Sequence, residues 1–323
     1  MFTIRPFDAS DADYAIFAAI DTAYYPYPLG EETLRHFDAT RSPDLLFHRD
    51  MIERDGQVIA FGEYGHLQWA YHPDKYNFYL VVHPNHEHPD IRPLYFEHVL
   101  RALADRAPLA LTAGSLEHKE AHTRFLLDNG FKETMRMQLS ELDVSAFDPA
   151  KFAHVPEKMR ALNIRIVTLT ELKTIDPNWK QALYDLEYAI VEDVPATEAD
   201  FKMSPEEFES MMLDNPNTLE DGWFIALDGD RYVGTSRVWR NPASARQLDG
   251  SLTGVIRPYR RKGIATALKL RLIAFARQYG AAIILTSNEA NNPMYALNLA
   301  LGFQPRPAWI NYEKPLRAAE PAT

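Results

Sequence analysis

Apolar positions along this chain follow two periods. Phe78-Tyr79-Leu80-Val81-Val82 and Leu252-Thr253-Gly254-Val255-Ile256 are β-branched or aromatic runs that each end near a proline, and they predict strands. After each run the period lengthens. Ile264, Leu268, Leu272, Phe275 and Tyr279 recur at three- and four-residue steps and predict a long amphipathic helix, with Gly280 placed to cap its C-terminus. Ile91, Tyr95, Val99 and Ala102 make the same pattern upstream. Two further apolar pairs, Met51 to Ala60 and Trp223 to Gly234, are broken by Asp55-Gly56 and Asp228-Gly229, which predict β-hairpins. A short β-like segment opens each half, Thr3 to Pro6 and Asn163 to Val167. A Gly-Phe pair lies near each end, Gly130-Phe131 and Gly302-Phe303.

These elements form an internal repeat. Val81 maps to Val255 at an offset of 174, Asp55 to Asp228 at 173 and Gly130 to Gly302 at 172. Duplication of one α+β unit accounts for the constant spacing. The expected fold class is therefore α+β, in two tandem domains. The expected domains are residues 1–150 and 160–317. The boundary falls between Phe147 and Leu162, where Asp148-Pro149 and Val155-Pro156 flank polar sequence. The tail Ala318 to Thr323 is expected to fray.

Composition narrows the function. The 323 residues carry 34 Lys and Arg against 45 Asp and Glu, a formal charge of −11, which argues against a nucleic-acid coat protein. The absence of cysteine excludes disulfides, thiolate metal sites and a cysteine nucleophile. The start, MFTIRPFDAS, has no basic and apolar leader, and no run reaches eighteen apolar residues. The expectation is a cytoplasmic protein with no membrane partner.

The segment with chemistry is Thr253 to Lys269. A strand runs through Arg257-Pro258-Tyr259-Arg260-Arg261-Lys262-Gly263 straight into the amphipathic helix. Orphan amides at a helix start, the positive end of its dipole and flanking cations make a pyrophosphate cradle. Gly263 lets the backbone approach a phosphate, and Ala265 keeps the first turn thin. A P-loop needs a second glycine followed by Lys, and a dinucleotide fingerprint needs three glycines; neither is present.

The pattern Arg260-x-x-Gly263-x-Ala265 resembles the pyrophosphate loop of the GNAT superfamily of acyl-CoA-dependent N-acyltransferases. The resemblance continues through Asn288-Glu289-Ala290-Asn291-Asn292-Pro293-Met294-Tyr295-Ala296-Leu297-Asn298 to Gly302-Phe303, and the whole chain resembles a tandem GNAT protein, which implies two α+β (α/β mixed sheet) domains that each hold a central, mostly antiparallel sheet flanked by helices. The resemblance implies that Val255, Ile256, Arg257, Arg260, Arg261, Lys262, Gly263, Ile264, Ala265, Thr266, Asn291 and Asn298 contact acetyl-CoA. It also implies that the strand Leu252 to Arg257 splays from its neighbour, and that a small-molecule or peptide amine attacks the thioester directly without a metal. Asn291 either makes that contact or caps the following helix. Met294, Leu297 and Leu301 fit core positions at helical spacing.

The sequence departs from the family where chemistry is concerned. Asn298 stands where a tyrosine often protonates the leaving thiolate, and an amide is no acid. Tyr295, one helical turn earlier, is the alternative candidate. The base is unassigned among the loop acids Glu192, Asp193, Glu220, Asp221 and Asp249. The resemblance places Tyr24 to Pro28 and Glu192 to Pro195 beside the acceptor. A competing reading is a non-catalytic acyl-CoA-binding or interaction module. A third, nucleic-acid binding through Arg257, Arg260, Arg261 and Lys262, conflicts with the acidic balance.

The first copy is degenerate at the loop. His86, Pro89 and Ile91 stand opposite Arg260, Gly263 and Ala265, so a cation weakens, an amide donor is lost and a small residue becomes bulky. His83, His86 and His88 raise a metal reading, but the prolines around them restrict convergence, and a polar surface loop is the simpler one. His118 and His122, four apart on a predicted helix, read as surface residues.

Overall fold

A computed structural model describes residues 1–25, 28–194 and 203–317. Pro26, Tyr27, Pro195 and the tail from Ala318, all touched by the sequence reading, lie outside the described residues. The chain runs β1 (Phe2–Pro6), α1 (Asp11–Tyr24), α2 (Glu31–Thr40), β2 (Phe47–Arg54), β3 (Gln57–Gly65), β4 (Lys75–Val82), α3 (Ile91–Ala102), β5 (Ala110–Leu116), α4 (Glu120–Asp128) and β6 (Lys132–Asp143). It repeats the plan after a short α5 (Val155–Ala161), with β7 (Ile164–Thr168), α6 (Leu169–Ile175), α7 (Trp179–Val191), α8 (Pro205–Phe208), β8 (Thr218–Asp228), β9 (Arg231–Arg240), β10 (Gln247–Val255), α9 (Ile264–Tyr279), β11 (Ile283–Glu289), α10 (Pro293–Ala300) and β12 (Gln304–Pro315). The expected hairpins β2–β3 and β8–β9 are present, and Asp55 and Gly56 both take positive φ, as a two-residue hairpin turn requires.

Contacts divide the chain into two compact units, Met1–Met137 with the chain from Pro307 onward, and Gln138–Arg306. These units differ from the halves 1–150 and 160–317 at their last strands. In the first unit the order is β1-β2-β3-β4-β5-β12, antiparallel except for the parallel β4–β5 step. In the second it is β7-β8-β9-β10-β11-β6, with β10–β11 the parallel step. Each unit thus takes its last strand from the other half of the sequence. Burial explains the fit. Ala308, Ile310 and Tyr312 alternate into a core with Phe78, Phe96 and Phe131, while Leu142 and Val144 join Leu248, Ile284 and Phe303.

Both units are mixed α/β sheets flanked by helices. In the second, Phe224, Ala226, Val238 and Val255 face α9, and Trp223, Ile225 and Leu227 face α6 and α7. The boundary segment is part of this unit. Val155 and Met159, four residues apart, bury one face of α5 in the same core as Ile264 and Leu268.

Two buried polar residues were not legible in the sequence. His118 is exposed, but His122 is only 3% exposed, and burial pushes its imidazole down to about 3, so it is neutral. Lys269, on α9, is 2% exposed with its ammonium 5.6 Å from the centre of the Phe303 ring, and burial lowers it to about 8. A folded pKa below the unfolded one means that charging Lys269 costs stability below pH 8, a cost that fades as pH rises toward its ordinary value. Lys269→Met should therefore stabilise the protein by up to about 3 kcal/mol at pH 7 and by little at pH 10.5. Denaturant titrations at the two pH values measure this, and no gain at neutral pH would contradict a buried ammonium.

Candidate active site

The site begins with a pairing that stops. β10 runs parallel to β11 only from Gln247 to Asp249, opposite Ile283 to Leu285. Beyond that the strands part, while β10 stays bonded to β9 through Val255. A register shift between Gly250 and Thr253 bends the strand there. Glycines permit close approach on both faces: a Cβ on Gly254 would meet Ile190 of α7 at 2.1 Å, and one on Gly250 would meet Thr286 at 3.0 Å. The opening leads into a cavity of about 500 Å³. Ile190, Val255, Ile264, Met294 and Leu297 give it apolar walls, and Arg260, Arg261 and Gly263 give it a basic end.

The basic end is the start of α9. Tyr259 anchors the loop by donating to Asp228 at 2.7 Å, and Arg260 Nε donates to the carbonyl of Val255 at 2.9 Å. Arg261 and Gly263 then take positive φ, 61° and 87°, and turn the chain into the helix. Gly263 has no side chain to cap the helix. The first helical bond is donated by Ala267, so the amides of Ile264, Ala265 and Thr266 remain open to an anion.

One carboxylate sets the charge here. Asp193, just after α7, accepts from Arg257 Nε at 3.0 Å and Nη2 at 2.5 Å, and from Arg260 Nη2. Bonds to Arg257 and then Arg260 hold its carboxyl down at about 2. Asp193 also lines the cavity. The two arginines expected to meet phosphate thus already share a carboxylate, and Asp193, one of the candidate bases, is far too acidic to take a proton at neutral pH.

Of the residues expected at the cofactor, Val255, Arg260, Arg261, Gly263, Ile264, Ala265 and Thr266 line the cavity, while Ile256, Arg257, Lys262, Asn291 and Asn298 do not. Asn298 is fully buried, with Nδ2 donating to Asn288 Oδ1 at 2.7 Å. Asn291 folds back on Glu289, and it is Asn292 that caps α10 and borders the cavity. Tyr295 is half-buried and also off the cavity wall. Met294 and Leu297, read as core, are wall residues, because the splay exposes the α10 face that a closed sheet would cover; Leu301 is core.

Among the other candidate bases, Glu192 and Asp221 are exposed and Glu220 pairs with Lys173. Asp249 differs. It sits on β10 opposite Trp239, which shares a β9 face with Thr235, the partner of Gly254, so Asp249 and Gly254 face the same side of the sheet, although Asp249, like Tyr295, is not a wall residue of the cavity. Amides of Asn241 and Gln247 donate to it at 2.9 Å, and burial raises its pKa.

The corresponding loop of the first unit is built otherwise. Pro89 has no amide to offer, and Ile91 is fully buried at the start of α3. Glu87 pairs with both ends of the buried Arg92 guanidinium, at 2.7 and 2.8 Å, so the chain supplies its own anion beside that helix start. His83 and His86 face each other at 5.3 Å, and His88 instead packs edge-on against Phe2.

A splayed parallel strand running through a single-glycine loop into a helix start is the arrangement that the resemblance to GNAT proteins implies. Residues 183–303 match the profile of the acetyltransferase (GNAT) family. Over 99% of its length the chain overlays all of a tandem GNAT protein from the clavulanic acid biosynthesis pathway, with a TM-score of 0.74 and 17% identity. It overlays 97% of a GCN5-related N-acetyltransferase from Sphaerobacter thermophilus over the same share, with a TM-score of 0.69 and 18% identity. It also covers, with 97% of its own length, 38% of a fungal multi-domain GH3 β-N-acetylglucosaminidase that carries a glucosamine N-acetyltransferase region (TM-score 0.66, 11% identity). Among curated protein sequences none matches. Residues 183–303 thus carry the match to the GNAT family, and the chain as a whole has the fold of the tandem GNAT protein. Among the described residues no helix is long and apolar enough to cross a membrane.

Asp193 competes with any anion for Arg257 and Arg260, so Asp193→Asn should tighten coenzyme A binding by about two- to fivefold in calorimetry. The gain should be equal at pH 5 and pH 8, since the carboxyl is ionised at both. Weaker binding in the variant would show that Asp193 instead holds the arginines in place.

Proposed function

We propose that the second unit is an acyl-CoA-dependent N-acyltransferase that moves an acetyl group from acetyl-CoA to a primary amine, carried by a small molecule or a peptide. The observation that carries this reading is the cavity itself. Its apolar walls between β10, α7 and α10 suit an acyl-pantetheine arm, and its end at the uncapped amides of Ile264, Ala265 and Thr266 suits a pyrophosphate.

The chain's residues have defined tasks in this scheme. The backbone of β10 positions the thioester, and the helix start holds the phosphates. The amine needs to lose a proton as it attacks, and we assign that acceptor to Asp249, whose face, hydrogen bonds and raised pKa suit it. The leaving thiolate needs no strong acid, since a thiolate is only weakly basic. That matches a buried Asn298 and a Tyr295 off the cavity wall. The same two placements favour the competing reading, a module that binds acyl-CoA without turnover, and an assay separates the two.

The first unit is read as a non-binding copy. Pro89, the bulk of Ile91 and the Glu87–Arg92 pair each oppose a phosphate at its loop.

Titration with acetyl-CoA should saturate at one equivalent per chain, and Gly263→Asp should abolish it by placing a carboxylate at the helix start. Two equivalents of similar affinity would refute the reading of the first unit. Thiol release with a panel of polyamines, aminoglycosides and amino acids should show turnover on at least one amine; binding with none favours the non-catalytic module. Asp249→Asn should lower kcat by about 10²- to 10⁴-fold and remove the acid limb of the pH–rate profile, without changing acetyl-CoA affinity. A kcat within threefold of wild type would place the proton acceptor elsewhere.

A further inference from the structure

A cation outside the matched residues 183–303 stands at the cradle. Lys158 lies on α5, which Val155 and Met159 fasten into the core beside Ile264. A Cβ built on Gly263 would lie 3.4 Å from Lys158 Nζ, closer than any other atom. Lys158 is exposed, and its ammonium has no carboxylate within ion-pair distance among the described residues; the neighbouring Glu157 is taken by Arg160 at 2.5 Å. Arg261 likewise has no carboxylate partner among the described residues, and Lys262 rests over the Tyr259 ring at 4.6 Å. The charges are therefore arranged in reverse of the sequence expectation. Arg257 and Arg260 are engaged by Asp193, while the uncommitted cation nearest Gly263 comes from the segment between the repeats.

Position along the ligand separates two tasks. Arg260, Arg261 and Gly263 line the cavity and Lys158 does not, while its ammonium lies beside Gly263 at the helix start. A pyrophosphate at the helix start has those amides as donors. Coenzyme A carries one more phosphate, the 3′-monoester on its ribose, with about −1.5 to −2 charge at neutral pH. With the helix-start amides given to the pyrophosphate, that third phosphate needs a cation, and Lys158 is one without a carboxylate partner among the described residues.

We propose that Lys158 binds the 3′-phosphate of coenzyme A and makes this site select the phosphorylated donor over 3′-dephospho-coenzyme A. The inference rests on the acyl-CoA reading of the second unit.

The test is calorimetry on the full chain with coenzyme A and 3′-dephospho-coenzyme A, comparing wild type, Lys158→Gln and Lys158→Arg. Wild type should prefer coenzyme A by about tenfold. Lys158→Gln should lose most of that preference, weakening coenzyme A by about five- to tenfold while leaving the dephospho ligand within twofold, and Lys158→Arg should restore it. An equal loss for both ligands would move Lys158 to the pyrophosphate and overturn the assignment, as would no loss for either. Wild type that binds neither ligand would overturn the acyl-CoA reading itself, an outcome distinct from both. The side chain is exposed, so the variants should fold, and unchanged thermal melts check this.

Discussion

The second unit depends on where one parallel pairing ends. β10 and β11 share three residue pairs and then separate, because the strand bends between Gly250 and Thr253 while remaining bonded to β9. A sheet closed along its whole length would bury Met294 and Leu297 and leave no room beside Gly254. The splay also aims β10 at the start of α9, so an open backbone edge, an apolar wall and three free amides meet in one place. The first unit shows the same interruption, with β4 and β5 paired only over Lys75 to Phe78 and Ala110 to Ala113. The wedge is a property of the repeated fold. What differs between the copies is the loop that follows it.

At that loop the electrostatics are set by paired charges more than by the number of basic residues. Four of the seven residues from Arg257 to Gly263 are cationic, yet two of them share Asp193. In the first unit the pairing goes further, since Glu87 and the buried Arg92 satisfy each other beside the helix start. An exposed ion pair of the Asp193 kind is worth little by itself, and an anionic ligand can exchange with it. The bidentate Glu87–Arg92 pair is harder to open, because the Arg92 guanidinium is buried and would be left without its exposed partner Glu87. The two copies thus keep similar cores and differ at this loop in a few side chains.

The sequence alone was sufficient for the repeat, the order of the main elements and the helix start at Gly263. These follow from local rules: period two or period 3.6 in the apolar residues, a glycine where φ must be positive, an Asp-Gly turn between strands. The backbone cradle was legible for the same reason, because orphan amides belong to any helix start. Tertiary structure decided what local rules leave open. The alternation in β6 and β12 announces strands with one buried face, but only packing determines which sheet each strand joins. Asn298 and His122 are polar residues on amphipathic helices, and their burial depends on neighbours far away in sequence. Asp193 and Arg257 are 64 residues apart and Lys158 and Gly263 are 105 apart, so no spacing rule connects them. Charge pairing acts through distance in space, which the chain's order does not encode locally, and for that reason the cradle was readable in the sequence while the charges that govern it were not.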